Sequence, residues 1–411
     1  MKILVVGAGF VGLTTALGFA DKGHRVFAYD TNLLHSQKIS KGEIPFFEKG
    51  LPEALERNLG TNFTILQNID EKQNVDIVFF CVGTPCNEEG KADLQYLRSA
   101  IEKVIVKINE DCLLVIKSTI PPGTTEREVI PFIRALGYKN EVVMNPEFLR
   151  EGYCWKDFTE PDRIVCGMDT NNEDIKEIMS KLYAPFKAPI HFVTFSTAEF
   201  IKYLSNSLLA ALISFSNEMA IIAENTGNIS VGWAFKILHE DNRLKDAGIS
   251  HYIYPGCGYG GYCLPKDTVA LIQNAKDNGF MPSILQEVVL LNKNMPKITA
   301  EKIAKRAKKK TDRIGILGLS FKPNSDDVRD SSAGKIINEL ILQGYSNIYA
   351  YDPVANKKFE EAYAFPIYYC LSKEEVCKNC SIVAIVTVWN EFKEINEQYS
   401  DIEWIDCRYF L

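Results

Sequence analysis

Gly256-Cys257-Gly258-Tyr259-Gly260-Gly261-Tyr262-Cys263-Leu264-Pro265-Lys266-Asp267 is the stretch best equipped for covalent chemistry. Four glycines in six residues free the backbone to pack against a bulky ligand. A helix is expected to begin after Cys263, with Pro265 and an acid in its first turn. A cysteine at a helix N-terminus beside cations gains thiolate character, which is the environment of a nucleophile. The other ten cysteines are expected to be packed thiols. Cys377-x-x-Cys380 lacks the second half of a metal site, so no metal is expected.

Gly7-x-Gly9-x-x-Gly12 stands directly after the apolar run Lys2–Val6 and before an Ala/Leu-rich helix, and Asp30 ends the next strand. The glycines permit a tight turn and close approach to a pyrophosphate at the helix N-terminus. Asp30 would accept hydrogen bonds from ribose hydroxyls and repel a 2′-phosphate, which favours NAD over NADP. His35 is expected to be solvated. Lys202 and Asn206 lie four residues apart, on one helix face. Spacing alone leaves open whether they bind an oxyanion, move a proton or face solvent. Ser118-Thr119 and Glu147…Glu151 follow the strands Cys112–Lys117 and Glu141–Met144, at the carboxyl ends where open α/β sheets bind ligands.

These residues need a scaffold of alternating strands and helices. Further strands are expected at Val75–Val82 and Arg163–Cys166, giving an α/β chain with a doubly wound parallel sheet. The C-terminal part repeats the opening. Arg313–Leu317 then Gly318 parallels Lys2–Val6 then Gly7, and Ile348-Tyr349-Ala350-Tyr351-Asp352 parallels Val26-Phe27-Ala28-Tyr29-Asp30. The second unit carries a charged loop, Phe321–Ser331, where the first has its Gly-rich turn. Between them, Ser196-Thr197-Ala198-Glu199 has the spacing of a capping box, opening a long spine helix that reaches about Asn225. Lys297–Lys310 reads as a basic helix or linker. The expected domains are 1–195, 196–298 and 311–411: two Rossmann-like units joined by a helical middle.

Composition agrees. The chain has 411 residues, 46% hydrophobic and 24% charged, which suits a folded protein of two to four domains. A net charge of −7 makes nucleic acid a poor partner. The glycines at 7, 9 and 12 argue against a signal peptide, and no membrane span is expected. Eleven cysteines without a framework of spacings suit a reducing cytoplasm.

The motifs taken in order resemble the UDP-glucose/GDP-mannose dehydrogenase family across essentially the whole chain. They are GAGFVG at 7–12, VGTP at 82–85, KSTIPPG at 117–123, NPEFLREG at 145–152, PDRIV at 161–165, AEFIKYLSN at 198–206, GYGGYCLPKD at 258–267 and FKPNSDDVRDS at 321–331. The resemblance implies an NAD-dependent, four-electron oxidation of a nucleotide sugar's C6 alcohol to the carboxylate, through a thiohemiacetal and thioester on Cys263. It places Lys202, Asn206 and Asp267 around the reacting carbon, with Thr119 and Glu147 handling water and protons. NAD would be held by Gly7, Gly9, Phe10, Val11, Gly12, Asp30, Thr84, Ser118, Glu151 and Arg329. The UDP-sugar would meet Glu147, Phe148, Leu149, Lys202, Asn206, Tyr252, Gly260, Phe321, Lys322 and Arg408. Arg243 matches an arginine that the family lends to a neighbouring subunit, which implies a homodimer.

His35 stands where members of the family often have a basic residue, and Cys257 is assigned no role. Pro-Lys-Asp at 265–267 resembles the UDP-glucose and GDP-mannose branches rather than the N-acetylhexosamine branch, and the Tyr-rich GYGGYCLPKD looks more like the UDP-glucose branch. Two rival readings are a two-electron hydroxyacid or 6-phosphogluconate dehydrogenase and a catalytically silent NAD-binding scaffold. The first needs neither a nucleophilic cysteine nor a second nucleotide-binding unit. The second gives no reason to keep Cys263, Lys202 and Glu147 in their motifs.

Overall fold

The computed structural model describes residues 1–245, 249 and 252–409. The chain divides into two compact units, Met1–Leu204 and Ser205–Leu411.

In the first unit the apolar runs become an eight-stranded sheet. Its strands are β1 (Lys2–Val6), β2 (Arg25–Tyr29), β3 (Phe63–Leu66), β4 (Ile77–Phe80), β5 (Leu113–Ile116), β6 (Val142–Met144), β7 (Ile164–Gly167) and β8 (Ile190–Val193). Their order is β3-β2-β1-β4-β5-β6-β7-β8. Strands β1, β4, β5 and β6 expose almost nothing, as strands covered by helices on both faces must. One core lies under Phe19, Phe79 and Tyr183, and another, on the opposite face, under Phe80, Ile101 and Ile133.

Two expectations need correction. The sheet is not wholly parallel: β6 and β7 pair antiparallel at Met144 and Gly167. The segment joining them holds the short helix Cys154–Thr159. The edge strands β3 and β8 were not expected. They are half-covered, so their sequences lack the continuous apolar run of a central strand.

The second unit repeats the skeleton with five parallel strands: β9 (Ile314–Leu317), β10 (Ile348–Tyr351), β11 (Tyr368–Tyr369), β12 (Ile382–Ile385) and β13 (Glu403–Asp406). The order β11-β10-β9-β12-β13 matches β3-β2-β1-β4-β5 of the first sheet. Gly318 (φ +90°) turns the chain after β9 as Gly7 (φ +93°) does after β1. Cys377 and Cys380 lie in the core of this unit, and all eleven cysteines are free thiols. The basic stretch expected from Lys297 begins as the end of the helix Ser283–Ala304.

The spine helix runs Phe195–Thr226, 32 residues and about 48 Å long. It is long and apolar enough to cross a membrane. Yet its polar residues Glu199, Lys202, Asn206, Ser214 and Asn217 are buried, while Phe200, Leu204, Leu208, Phe215 and Ile222 face outward. The expected capping box does not form. The hydroxyl of Thr194, not Ser196, accepts from the Thr197 N–H. Glu199 turns away from its own helix start to take donors at Gly123 and Thr125.

Candidate active site

The nucleotide turn is set by close backbone contact. A Cβ on Gly12 would lie 1.7 Å from the Gly7 carbonyl oxygen, and one on Gly7 would lie 2.7 Å from that of Cys81. Only glycine fits both places. A Cβ on Gly9 would meet nothing within 4 Å, so its backbone is open to a ligand. Phe10 and Val11 start the helix Phe10–Asp21, and the Phe10 ring packs 4.0 Å from that of Phe46. Asp30 accepts from the Ala8 N–H at 2.6 Å and the Asn32 N–H at 2.7 Å. Those two bonds leave acceptor capacity on a carboxylate. Gly7, Gly9, Asp30 and His35 line a cleft of about 440 Å³. An open backbone at a helix N-terminus, with an acid at the end of the next strand, fits a dinucleotide.

Thr84 and Ser118 knit together the segments that follow β4 and β5. The Thr84 hydroxyl donates to the Thr119 carbonyl at 2.6 Å, and the Ser118 hydroxyl to that of Val82 at 2.7 Å. Glu147, after β6, is buried and lies 3.0 Å from the Lys202 ammonium. Its carboxylate also accepts from the Leu149 N–H. The Lys202 ammonium sits 5.6 Å from the centre of the Phe148 ring. Lys202 and Asn206 are therefore buried, not solvated, and Lys202 is paired with a carboxylate. Glu151 is half-buried, four residues beyond Glu147 along the same loop.

Three further residues, Glu48, Lys117 and Asn145, support this arrangement. Glu48 is buried and accepts from the N–H groups of Gly152 and Cys154, fixing the loop that follows Glu147. Lys117, deep in the core, donates to Asn145 at 3.1 Å, and Tyr183 donates to the same oxygen. Burial pulls the Lys117 pKa down. Lys117 and Asn145 open the motifs KSTIPPG and NPEFLREG, which were the available signal for them. Nothing marked Glu48.

In the second unit, Cys263 is the first residue of the helix Cys263–Asp277 and is half-buried. Asp267 stands past the first turn, not in it as expected, because the helix starts at the cysteine itself. Asp267 is fully buried. It accepts from Asn206 Nδ2 at 2.6 Å and pairs with Lys266 Nζ at 2.5 Å. Burial alone would lower the Lys266 pKa, but the charges of Asp267 and Cys263 turn the balance upward. A permanent cation thus acts on the Cys263 sulfur.

The glycines ahead of Cys263 are explained by their neighbours. Gly261 (φ +77°) donates to the Arg329 carbonyl, and a Cβ there would lie 2.7 Å from the Phe321 ring. A Cβ on Gly260 would lie 2.2 Å from the Asp330 carbonyl oxygen. The charged loop 321–331 is therefore the wall of the cysteine loop. Arg329 pairs with Asp327 and lies over the Tyr262 ring, and Lys322 lies near the Phe321 ring. A Cβ on Gly256 would lie 2.1 Å from the Arg408 guanidinium. Asn217 and Asn292 hold the same loop through Gly256 N–H and both backbone groups of Tyr259. Tyr252 is half-buried. Arg243 is exposed and pairs with its own Asp241, whose carboxyl it holds down at about 2.

Comparison with known proteins agrees with this layout. The NAD binding domain of the UDP-glucose/GDP-mannose dehydrogenase family matches residues 1–187, its central domain residues 196–294 and its UDP binding domain residues 315–411. A UDP-glucose 6-dehydrogenase of Rickettsia conorii is 38% identical, over 97% of this chain and 91% of that protein. The structure of a UDP-glucose dehydrogenase from Pyrobaculum islandicum matches with a TM-score of 0.89 and 34% identity, covering 100% of this chain and 94% of that one. A UDP-D-ManNAc dehydrogenase structure from Pyrococcus horikoshii matches at 0.86 and 27% identity, covering 100% and 96%. With a dinucleotide turn in one unit, a helix-initial cysteine in the other and all three family domains matched in order, the chain belongs to the UDP-glucose/GDP-mannose dehydrogenase family.

Proposed function

We propose that the protein oxidises the C6 alcohol of UDP-glucose to the carboxylate, converting UDP-glucose, two NAD+ and water into UDP-glucuronate and two NADH. The observation that carries this reading is a half-buried Cys263 at a helix start, under the permanent charge of Lys266. NAD, held by Gly7, Gly9, Phe10, Val11, Gly12 and Asp30 with Thr84, Ser118, Glu151 and Arg329, supplies the acceptor for one hydride in each of two oxidations. A two-electron dehydrogenase needs no nucleophile. A four-electron one must retain the aldehyde between its two halves.

Cys263 meets that need. Its thiolate adds to the aldehyde carbon, forming an S–C bond and a thiohemiacetal alkoxide. Loss of hydride from that carbon leaves a thioester. Water then attacks the thioester, the S–C bond breaks, and the carboxylate and thiolate separate. Lys202 and Asn206 stabilise the alkoxide and the tetrahedral oxyanions, where fixed donors in a dry site act most strongly. Asp267 orients Asn206 and Lys266. Glu147, paired with Lys202, is the carboxylate placed to take protons, and Thr119 positions water. Phe148, Leu149, Tyr252, Gly260, Phe321, Lys322 and Arg408 line the sugar-nucleotide site.

The three-part organisation, 1–195, 196–298 and 311–411, is part of the same proposal and is supported by the family matches. So is a cytoplasmic homodimer. Eleven free thiols suit a reducing compartment. Leu208, Phe215 and Ile222 are each 52% exposed at seven-residue spacing, a stripe suited to a second copy of the helix, and Arg243, which is exposed, is assigned to the neighbouring subunit's substrate site. Absorbance at 340 nm with UDP-glucose, GDP-mannose and UDP-N-acetylhexosamines tests the reading. The expected result is two NADH per UDP-glucose and little with the others. One NADH per sugar, or preference for another nucleotide sugar, would overturn it.

A further inference from the structure

Glu199 is fully buried, yet its carboxylate is spent on a different segment of the first unit. Oε2 accepts from the Gly123 N–H at 2.5 Å. Oε1 accepts from the Thr125 N–H at 2.7 Å and the Thr125 hydroxyl at 2.6 Å. These donors begin the turn Thr125–Val129, which is π-helical and continues into the helix Ile130–Ala135. A carboxylate there meets the positive end of that turn, and π-helical turns concentrate at functional sites. The segment between β5 and this turn carries Ser118 and Thr119, and Thr119 is tied in turn to Thr84. Glu199 also lies three residues before Lys202 on the spine helix, so it shares a face with the ammonium that meets Glu147.

We propose that Glu199 is a positioning residue: its ionised carboxylate clamps the 119–125 loop to the spine helix and fixes Thr119 relative to Lys202 for the hydrolytic half of the reaction. The inference rests on the function proposed above. Burial pushes the Glu199 carboxyl up to about 7, against the downward pull of its bonds to Thr125 and Gly123, and the neighbouring Glu126 adds to the rise. Glu126 itself accepts from Ser196. Arg127 lies over Gly123, where a Cβ would meet its guanidinium at 2.2 Å. Lys202 is committed to Glu147. The clamp thus titrates close to neutrality. Both carboxylate oxygens already receive donors, so a proton added to either one displaces a bond. The clamp holds above about 7 and loosens below it.

Three variants test this with UDP-glucose and NAD. In the native chain, kcat should fall as pH drops through about 7. Glu199→Gln should flatten that limb at a lowered kcat, because one amide NH2 must face a donor at every pH. Its pre-steady-state trace should show two NADH per site, then slow turnover, as thioester hydrolysis becomes limiting. Thr125→Val removes the hydroxyl bond that favours the charged form, so its limb should move to higher pH. Thr125→Ser restores the hydroxyl and should return the limb to its native position. An unchanged limb in both Glu199→Gln and Thr125→Val, with folded protein by circular dichroism, would overturn the proposal. A native chain that releases no NADH from UDP-glucose overturns the functional reading instead, which the variants do not affect.

Discussion

The Lys202 ammonium and the Glu147 carboxylate meet at 3.0 Å with side chains only 4% and 6% exposed. Taking two charges out of water costs several kcal/mol per ion, and their attraction recovers that only with good geometry. Removing one partner strands the other, at about 3–5 kcal/mol. Lys202→Met should therefore lower the melting temperature sharply and reduce kcat by about 10²–10³, the usual effect of losing an oxyanion donor. The double variant Lys202→Met/Glu147→Gln should recover much of the stability and none of the turnover. Thermal melts and steady-state rates on the three proteins separate the roles. A double variant as unstable as the single would refute the account of a paired burial.

Cys263 and Lys266 form the next test. Cys263→Ser keeps the helix start but replaces a thiolate with a hydroxyl that stays protonated near neutral pH. It should reduce UDP-glucose turnover by several orders of magnitude, with the aldehyde or an ester left in the site, detectable by intact-protein mass spectrometry. Lys266→Met removes the cation that acts on the sulfur. The thiol pKa should rise, moving the pH of half-maximal alkylation by iodoacetamide upward. No change in that midpoint would mean that the helix terminus alone activates the sulfur.

Gly258 and Gly279 give a matched pair. Both hold positive φ, +87° and +82°. A Cβ on Gly258 would lie 2.6 Å from Asn292 Oδ1, the atom that accepts from Tyr259, whereas one on Gly279 would meet nothing within 4 Å. Gly279→Ala should cost about 1–2 kcal/mol of left-handed strain and leave kcat intact. Gly258→Ala should cost a similar strain and also lower kcat by about 10²-fold, the effect of a displacement near 1 Å at a reacting group. Urea unfolding with parallel rates makes the comparison.

Much of this was legible because some residues have a purpose that their neighbours reveal. The glycines at 7, 9 and 12 are intelligible beside Asp30, and the repeat of strand, glycine and acid predicted the second sheet before its strands were placed. Cys263 stood out because a Gly-rich run, a helix start and cations coincide there. What stayed hidden acts over distance. Glu199 has perfect local spacing for a capping box, but its donors lie 74 and 76 residues away. A buried carboxylate takes the donors that tertiary packing offers, and three backbone and hydroxyl bonds outweigh a local cap. Glu48 likewise meets Gly152 and Cys154 more than 100 residues on. The edge strands β3 and β8 were missed because half-covered strands need no continuous apolar run.

Asp30 and Asp352 occupy the same place in the two repeated units, but their bonding sets them apart. Asp30 accepts from two backbone N–H groups. Asp352 accepts from Leu319 N–H, both Ser320 N–H and hydroxyl, Val354 N–H, Ala355 N–H and the Trp389 indole. A carboxylate offers about four lone-pair sites, so Asp352 is saturated by its own unit and Asp30 keeps room for a ribose. Asp30→Asn turns an amide NH2 toward one of those two N–H groups and should cost about 1 kcal/mol of stability. It should lower kcat/KM for NAD about 10- to 100-fold, the worth of one or two hydrogen bonds to a charged group, and narrow the gap to NADP as the repulsion of the 2′-phosphate disappears. Asp352→Ala should do the reverse. It strands several buried donors and should cost about 3 kcal/mol of stability, with the KM for NAD unchanged wherever the protein remains folded. Urea unfolding and kinetics with both cofactors on the two variants decide the matter. Loss of NAD affinity in Asp352→Ala at full foldedness would show that the second acid serves the cofactor as well.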